Sequence, residues 1–179
     1  GEKALKTAQR LIALRPDTVR IYPTVVLKNT ALERLYAEGR YRAQTLEEAV
    51  ALCSRLLKMF TQGGVKVIRL GLHSGGGVEE NYVAGAYHPA FREKCENRLY
   101  SKNIEKLLSE NGIQKGEATV FVSPRYLSQA KGQKKENITY FKEHGYNINI
   151  VTKENIEQYE VRLGRSLPGR TESGEGRTR

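Results

Sequence analysis

Apolar and polar positions change their period several times along the chain, and each change marks an element. Leu5, Ala8, Leu11, Ile12 and Arg15 recur at helical spacing until Pro16 ends the pattern, so the spacing predicts an opening helix. Residues 15–27 then read as one buried strand with a polar stripe: Val19, Ile21 and Val25 fall on one side, and Thr18, Arg20, Tyr22 and Thr24 on the other. Val65 to Leu72 repeats the arrangement, with Ile68, Leu70 and Leu72 opposite Arg69, Gly71 and His73. Two strands that each carry an arginine on one side predict a shared ligand-facing surface. An arginine on a strand also suits a plain solvated face, so the two readings stand side by side here.

Thr30 is placed to cap a short helix through Tyr36, closed by Gly39. Thr45-Leu46-Glu47-Glu48 spells a capping box, and Leu46, Ala49, Val50, Cys53, Leu56, Leu57 and Phe60 form the apolar face of a longer helix that Gly63-Gly64 stops. Strand, helix, strand across residues 18–72 predicts a crossover with parallel strands. Function in such units gathers at strand ends, which directs attention to Pro23, Thr24, Gly71, Leu72 and His73. An α/β domain ordinarily places a strand before an opening helix, so the polypeptide is expected to continue upstream of Gly1.

Residues 74–85 are too glycine-rich to predict a regular element and long enough for a mobile lid. No Gly-Lys-Ser or Gly-Lys-Thr follows the glycines, which excludes a phosphate-binding P-loop. His73 and His88 flank this stretch without helical spacing or a nearby third ligand, so hydrogen-bonding roles are expected rather than metal binding. Pro89 suits the first position of a helix to Glu110 that buries Phe91, Cys95, Leu99, Ile104, Leu107 and Leu108. Arg92, Lys94, Arg98, Lys102 and Lys106 alternate with Glu93, Glu96 and Glu105 on its other side, which predicts a solvated, salt-bridged face. A strand at Ala118–Val122, a short helix from Pro124, a turn at Gly132, a helix from Lys134 to His144, and strands at Tyr146–Val151 and Tyr159–Leu163 complete the reading. The tail from Gly164 to Arg179 has no periodicity, and its composition predicts disorder.

Composition adds two constraints. No apolar run in the 179 residues approaches the roughly 20 needed to cross a bilayer, and Gly1 to Lys6 lack a signal peptide's apolar stretch, so no membrane association and a cytoplasmic location are expected. Cys53 and Cys95 sit singly within helical patterns, which predicts reduced, structural thiols. Thirty Lys and Arg against twenty Asp and Glu give a net charge of +10, which favours polyanions through counterion release.

The order strand, helix, loop, helix, strand over residues 118–151 matches the minimal core of the KH module, whose Gly-x-x-Gly loop clamps a single-stranded backbone. The loop is Lys131-Gly132-Gln133-Lys134-Lys135, so Lys135 occupies the second glycine position, while Lys131, Lys134 and Lys135 put charge where a phosphate would lie. The competing reading of this segment is an α/β cap that only covers a neighbouring barrel. Asn137-Ile138-Thr139 also spells a glycosylation sequon, irrelevant in the expected compartment.

Three stretches carry a family resemblance: Arg15 to Val26, then Leu32-Glu33-Arg34-Leu35-Tyr36-Ala37-Glu38-Gly39-Arg40-Tyr41, then Thr45 to Val50. They resemble the radical S-adenosylmethionine proteins related to the Elongator catalytic subunit, and more distantly the oxygen-independent coproporphyrinogen oxidases. Val67 to His73, Gly85 to Phe91 and Arg98-Leu99-Tyr100 look like the continuation in a bacterial branch, so the likeness covers roughly residues 3–100. The resemblance implies a partial (β/α) barrel holding a [4Fe-4S] cluster that reductively cleaves S-adenosylmethionine to a radical. The family's three-cysteine motif is not in this sequence, so the resemblance places the cluster on an upstream part of the same polypeptide. It also implies that Arg20, Tyr22, Thr24, Arg69 and His73 line the cavity and contact cofactor or substrate, an arginine fork suiting either a carboxylate or a phosphate. After residue 89 no glycine-rich acetyl-CoA loop is found, so the acetyltransferase domain of Elongator catalytic subunits is not expected.

The expected architecture is therefore α/β: residues 1–88 closing a radical S-adenosylmethionine barrel, residues 89–164 a smaller α/β extension with a KH-like order, and residues 165–179 a disordered tail. The expected parent activity is an iron-sulfur radical enzyme acting on RNA, transfer RNA foremost, with this segment inactive alone. The competing class is a non-enzymatic RNA-binding module.

Overall fold

The opening periodicity produces α1 (Glu2–Ala13), which buries Ala8 and rests against α3 (Leu46–Gln62). The computed structural model describes residues 1–73 and 77–164, and its architecture is mixed α/β. The tail predicted to be disordered lies, beyond Gly164, outside the described residues.

Arg15 takes φ 51, and the chain turns through Pro16 into β1 (Thr18–Ile21), which pairs in parallel with β3 (Lys66–Leu70). The predicted crossover is thus present, and α3 is its helix, packed on β3. Its start is fixed locally. Glu48 N donates to Thr45 Oγ1 at 3.1 Å and Thr45 N to Glu48 Oε2 at 2.9 Å, the two halves of a capping box. Arg42 lays both guanidinium nitrogens on Glu48, at 2.8 and 3.2 Å, and that pairing holds the Glu48 carboxyl below its ordinary range. Ala49, Val50, Cys53, Leu56, Leu57 and Phe60 are buried as the periodicity requires.

The single strand predicted over residues 15–27 is in fact two strands in separate sheets. Pro23 has no N–H to offer a ladder, pairing ceases at Tyr22–Thr24, and β2 (Val25–Leu27) begins after it. Thr30 caps α2 (Ala31–Ala37), its Oγ1 accepting from Glu33 N at 3.1 Å. β2 pairs antiparallel with β4 (Tyr82–Gly85), which follows the short α4 (Val78–Asn81), so most of the stretch read as an irregular lid is regular structure. Residues 74–76 lie outside the described residues. The cause is non-local: β2 supplies the hydrogen-bonding edge, and Gly85 (φ 112) admits it closely. A Cβ at Gly85 would lie 3.0 Å from both Thr24 O and Val25 Cα.

α5 (Phe91–Glu110) begins two residues after Pro89, with His88 Nδ1 accepting the Ala90 N–H at 3.0 Å. It touches α3 and β3 as well as the elements that follow it, so one apolar core runs from Ala8 to Tyr159. Phe91, Cys95, Leu99, Ile104 and Leu108 are buried as predicted, and Leu107 is partly buried. Glu96 corrects the reading of the charged face: it is buried, 6% exposed, because Arg92 and Tyr159 meet its carboxylate.

β5 (Gly116–Val122) is the central strand of the last sheet, parallel to β6 (Tyr146–Thr152) and antiparallel to β7 (Arg162–Leu163). The strand predicted from Tyr159 is cut to these two residues because Tyr159 itself has φ 65. Between β5 and β6 come a 3-10 turn at Pro124–Tyr126, α6 (Leu127–Lys131), a second turn at Gln133–Lys135 and α7 (Glu136–Glu143). The helix predicted from Lys134 starts later because Lys134 (φ 50) and Lys135 (φ 64) are left-handed. Asn137, the sequon asparagine, is buried and donates to Asn97 O and Ala130 O, both at 2.9 Å, tying α7 to α5 and α6.

Candidate functional site

Register sets the first candidate site. Thr18 faces Lys66, Val19 faces Val67, Arg20 faces Arg69 and Ile21 faces Leu70, with one residue, Ile68, left over between the second and third pairs. This bulge corrects the predicted phase of β3. Val67 and Leu70 are buried while Ile68 is 44% exposed, so Ile68 does not share a side with Leu70. Its consequence is chemical: Lys66 and Arg69, three residues apart, both pair with positions on the polar side of β1. The apolar side, Ile21, Val67 and Leu70, lies in the core with α3.

The structure therefore brings Arg20 and Arg69 together as directly opposed residues of one parallel pair, both exposed. Neither makes an ion pair among the described residues. Like charges directly opposite on neighbouring strands repel, an arrangement that an anion seated between them would reverse. Lys66 extends this basic side; the sequence reading missed it because strict alternation puts it opposite Arg69.

Tyr22 (49% exposed) and Thr24 (exposed) lie past the end of β1, and His73 (exposed) lies past the end of β3. Because the strands are parallel, all three leave from the same end of the pair. Gly71 fixes the exit from β3: its N–H donates to Ile21 O at 2.9 Å, its φ is 95, and a Cβ there would sit 2.9 Å from Phe91 Cβ. No side chain fits at that corner without displacing Phe91.

The second candidate is the loop between α6 and α7. Gly132 is buried with φ 81, Lys131 is half-buried, and Gln133, Lys134 and Lys135 are exposed. A Cβ on Gly132 would come 3.0 Å from Asn137 N, so a glycine is required there. The Lys135 N–H donates to Gly132 O at 3.0 Å, closing the turn with three lysines at its rim. This loop lies on the connection between β5 and β6, strands of a sheet other than the one that holds Arg20 and Arg69.

The thiols offer nothing to a cluster. Cys53 and Cys95 are both buried; burial pushes the Cys53 thiol up to about 11 and raises Cys95 further, holding both protonated. Among the described residues no three His, Cys, Asp or Glu side chains group to hold a metal ion, so these residues do not fit an iron-sulfur cluster. No helix among the described residues is long and apolar enough to cross a membrane.

Residues 16–101 match the Radical_SAM C-terminal domain, a span that holds β1 to β4 and the first half of α5. The chain is 38% identical over 47 residues to Elongator complex protein 3 of Mus musculus and of Homo sapiens, and 36% identical over the same length to that of Bos taurus. Each aligned stretch covers 26% of this chain and 9% of the relative, so it samples a small part of those proteins. Residues 16–101 are thus similar to the Radical_SAM C-terminal domain, and a 47-residue stretch of the chain is similar to Elongator complex protein 3.

Proposed function

We propose that this chain closes the partial (β/α) barrel of a radical S-adenosylmethionine iron-sulfur enzyme that acts on RNA, transfer RNA foremost, in the cytoplasm. The parallel β1–β3 pair is read as two barrel strands, with Arg20, Arg69, Tyr22, Thr24 and His73 toward the lumen and α3 outside. The observation that carries the reading is the opposed Arg20 and Arg69, without an ion pair among the described residues, in a span that matches the Radical_SAM C-terminal domain. Their forks suit the carboxylate of S-adenosylmethionine or a phosphate of RNA. The upstream polypeptide supplies the cluster, and the segment after residue 88 presents the RNA.

A specific observation favours an RNA-presenting role for that segment. Gly132 and Lys135 occupy the two glycine positions of a KH-type loop, and Lys135 (φ 64) keeps the left-handed backbone that a glycine would adopt. The net charge of +10 supports a polyanionic partner. A non-enzymatic RNA-binding module is the second reading and rests on this loop alone.

The test is reconstitution of the full-length protein with iron and sulfide, followed by measurement of 5'-deoxyadenosine release with and without transfer RNA. RNA-stimulated release is expected, and Arg20→Ala with Arg69→Ala should raise the S-adenosylmethionine or RNA concentration that it requires. A full-length protein that takes up no cluster yet binds RNA would leave only the binding module.

A further inference from the structure

A cleft of about 600 Å³ lies where β3, the start of α5 and the turn before α6 meet; it shares Lys66 with the basic side of the β1–β3 pair and is lined by none of the loop residues 131–135. Lys66, Arg92, Glu96, Arg125, Tyr126 and Gln129 carry its chemistry. Arg92 is already engaged: its Nε donates to Glu96 Oε1 at 2.9 Å and its Nη1 to Val67 O at 3.1 Å. Glu96 is thereby neutralised at the cleft floor, and it accepts a further hydrogen bond from Tyr159. Lys66 and Arg125 line the same cleft with no ion pair among the described residues. Glu93, exposed like Lys66 and Arg125, lines the cleft as well, so the lining carries three cations, Lys66, Arg92 and Arg125, against two carboxylates, Glu93 and Glu96.

Two further features narrow the occupant. Gln129 lines the cleft, and its Oε1 is buried with no donor among the described residues, which costs about 1–3 kcal/mol unless the side chain turns to meet a donor in the cleft. The Arg125 guanidinium lies 5.8 Å from the centroid of the Tyr126 ring, a planar cation held on an aromatic side chain. Anion-binding cations, an acceptor lacking its donor and a stacking plane together describe a nucleotide: a phosphate, an amino-bearing base edge and a π-face.

We infer that this cleft binds one nucleotide unit, its phosphate on Lys66 and Arg125, its base against Arg125 and Tyr126, with an exocyclic N–H donated to Gln129 Oε1 once that side chain turns into the cleft. The inference deepens the RNA reading by naming a contact point distinct from the Lys131–Lys135 loop. The same chemistry is offered by a free nucleoside monophosphate and by a residue of single-stranded RNA, so both belong in the test.

The experiment titrates the full-length protein with a labelled single-stranded RNA, with adenosine and cytidine monophosphates, and with inorganic phosphate. Lys66→Ala and Arg125→Ala are compared with Lys134→Glu/Lys135→Glu, and circular dichroism checks that each variant folds. RNA affinity should fall roughly five- to hundred-fold in Arg125→Ala, the range of one lost stacking contact. The salt dependence should lose about 0.7 for each cation removed. Gln129→Ala should narrow the preference for amino-bearing bases. Monophosphate binding that Arg125→Ala abolishes, without RNA binding, would keep the cleft and overturn the RNA reading. RNA binding lost only in Lys134→Glu/Lys135→Glu would keep the RNA reading and overturn the cleft. Inorganic phosphate binding as well as the monophosphates would overturn base recognition.

Discussion

Tyr159 donates its phenolic hydrogen to Glu96 Oε1 at 3.0 Å across 63 positions of sequence, and the same oxygen accepts from Arg92 at 2.9 Å. The Tyr159 N–H also donates to Tyr100 Oη at 3.1 Å, and the two rings meet edge to face with centroids 5.5 Å apart. One residue thus ties the C-terminal segment to α5. Tyr159→Phe keeps the ring and removes one hydrogen bond to a buried carboxylate, so unfolding in urea should show a loss of about 1–3 kcal/mol. An unchanged midpoint would mean that Arg92 alone satisfies Glu96.

Alkaline pH should weaken the fold. Burial raises the Cys53 thiol from 9.0 to about 11 and the Tyr100 phenol from 10.0 to about 12. Each folded value lies above its unfolded one, so above the unfolded value the unfolded chain binds fewer protons and stability falls as pH rises. The thiol's contribution is fully present below pH 9 and lost through about pH 11; the phenol's goes from pH 10 through about 12. Urea midpoints measured from pH 7 upward should hold until about 9 and then decline. Cys53→Ala should make the decline shallower without moving its onset, because the buried Cys95 thiol is raised from the same starting value.

Elements built from local interactions were legible in the sequence, and features that depend on distant partners were not. Thr45 and Glu48 satisfy each other within one turn, so the start of α3 could be read directly. The opposition of Arg20 and Arg69 followed from the parallel crossover, although the bulge at Ile68 that tunes it did not. β4 was unreadable because its pairing edge lies on β2, and Glu96 looked solvated because Tyr159 is far along the chain. Nothing in Lys134 or Lys135 announces a left-handed backbone; that follows from the tight return at Gly132.

The bulge makes its own prediction. Ile68→Thr should change stability by no more than about 0.5 kcal/mol, since the side chain is 44% exposed. Leu70→Ala, at a position 5% exposed, should cost about 2–5 kcal/mol. Strict alternation would make the two residues equivalent, and comparable losses in urea unfolding would restore it.

Gly71→Ala should cost more than backbone strain alone. The left-handed φ of 95 is unfavourable for alanine, and its Cβ would meet Phe91 Cβ at 2.9 Å. A loss above about 1 kcal/mol is expected. Phe91→Gly in the same background removes that Cβ and should relieve the clash, so the double variant should be more stable than the sum of the single losses predicts. Additive losses would place the whole effect in φ.

Lys135 offers a way to separate backbone from charge in the α6–α7 loop. Its φ of 64 carries the steric cost of a left-handed side-chain residue, which a glycine escapes. Lys135→Gly should therefore stabilise the protein by up to about 1 kcal/mol in thermal or urea unfolding, while also creating the Gly-x-x-Gly spacing with Gly132. If the loop clamps an RNA backbone, the loss of one cation and the gain in close approach oppose each other. The salt dependence should then fall by about 0.7 while affinity at high salt rises. Lys135→Ala removes the same charge without freeing the backbone and should weaken binding at every salt concentration. Identical binding by both variants and the parent protein would remove this loop from the RNA surface.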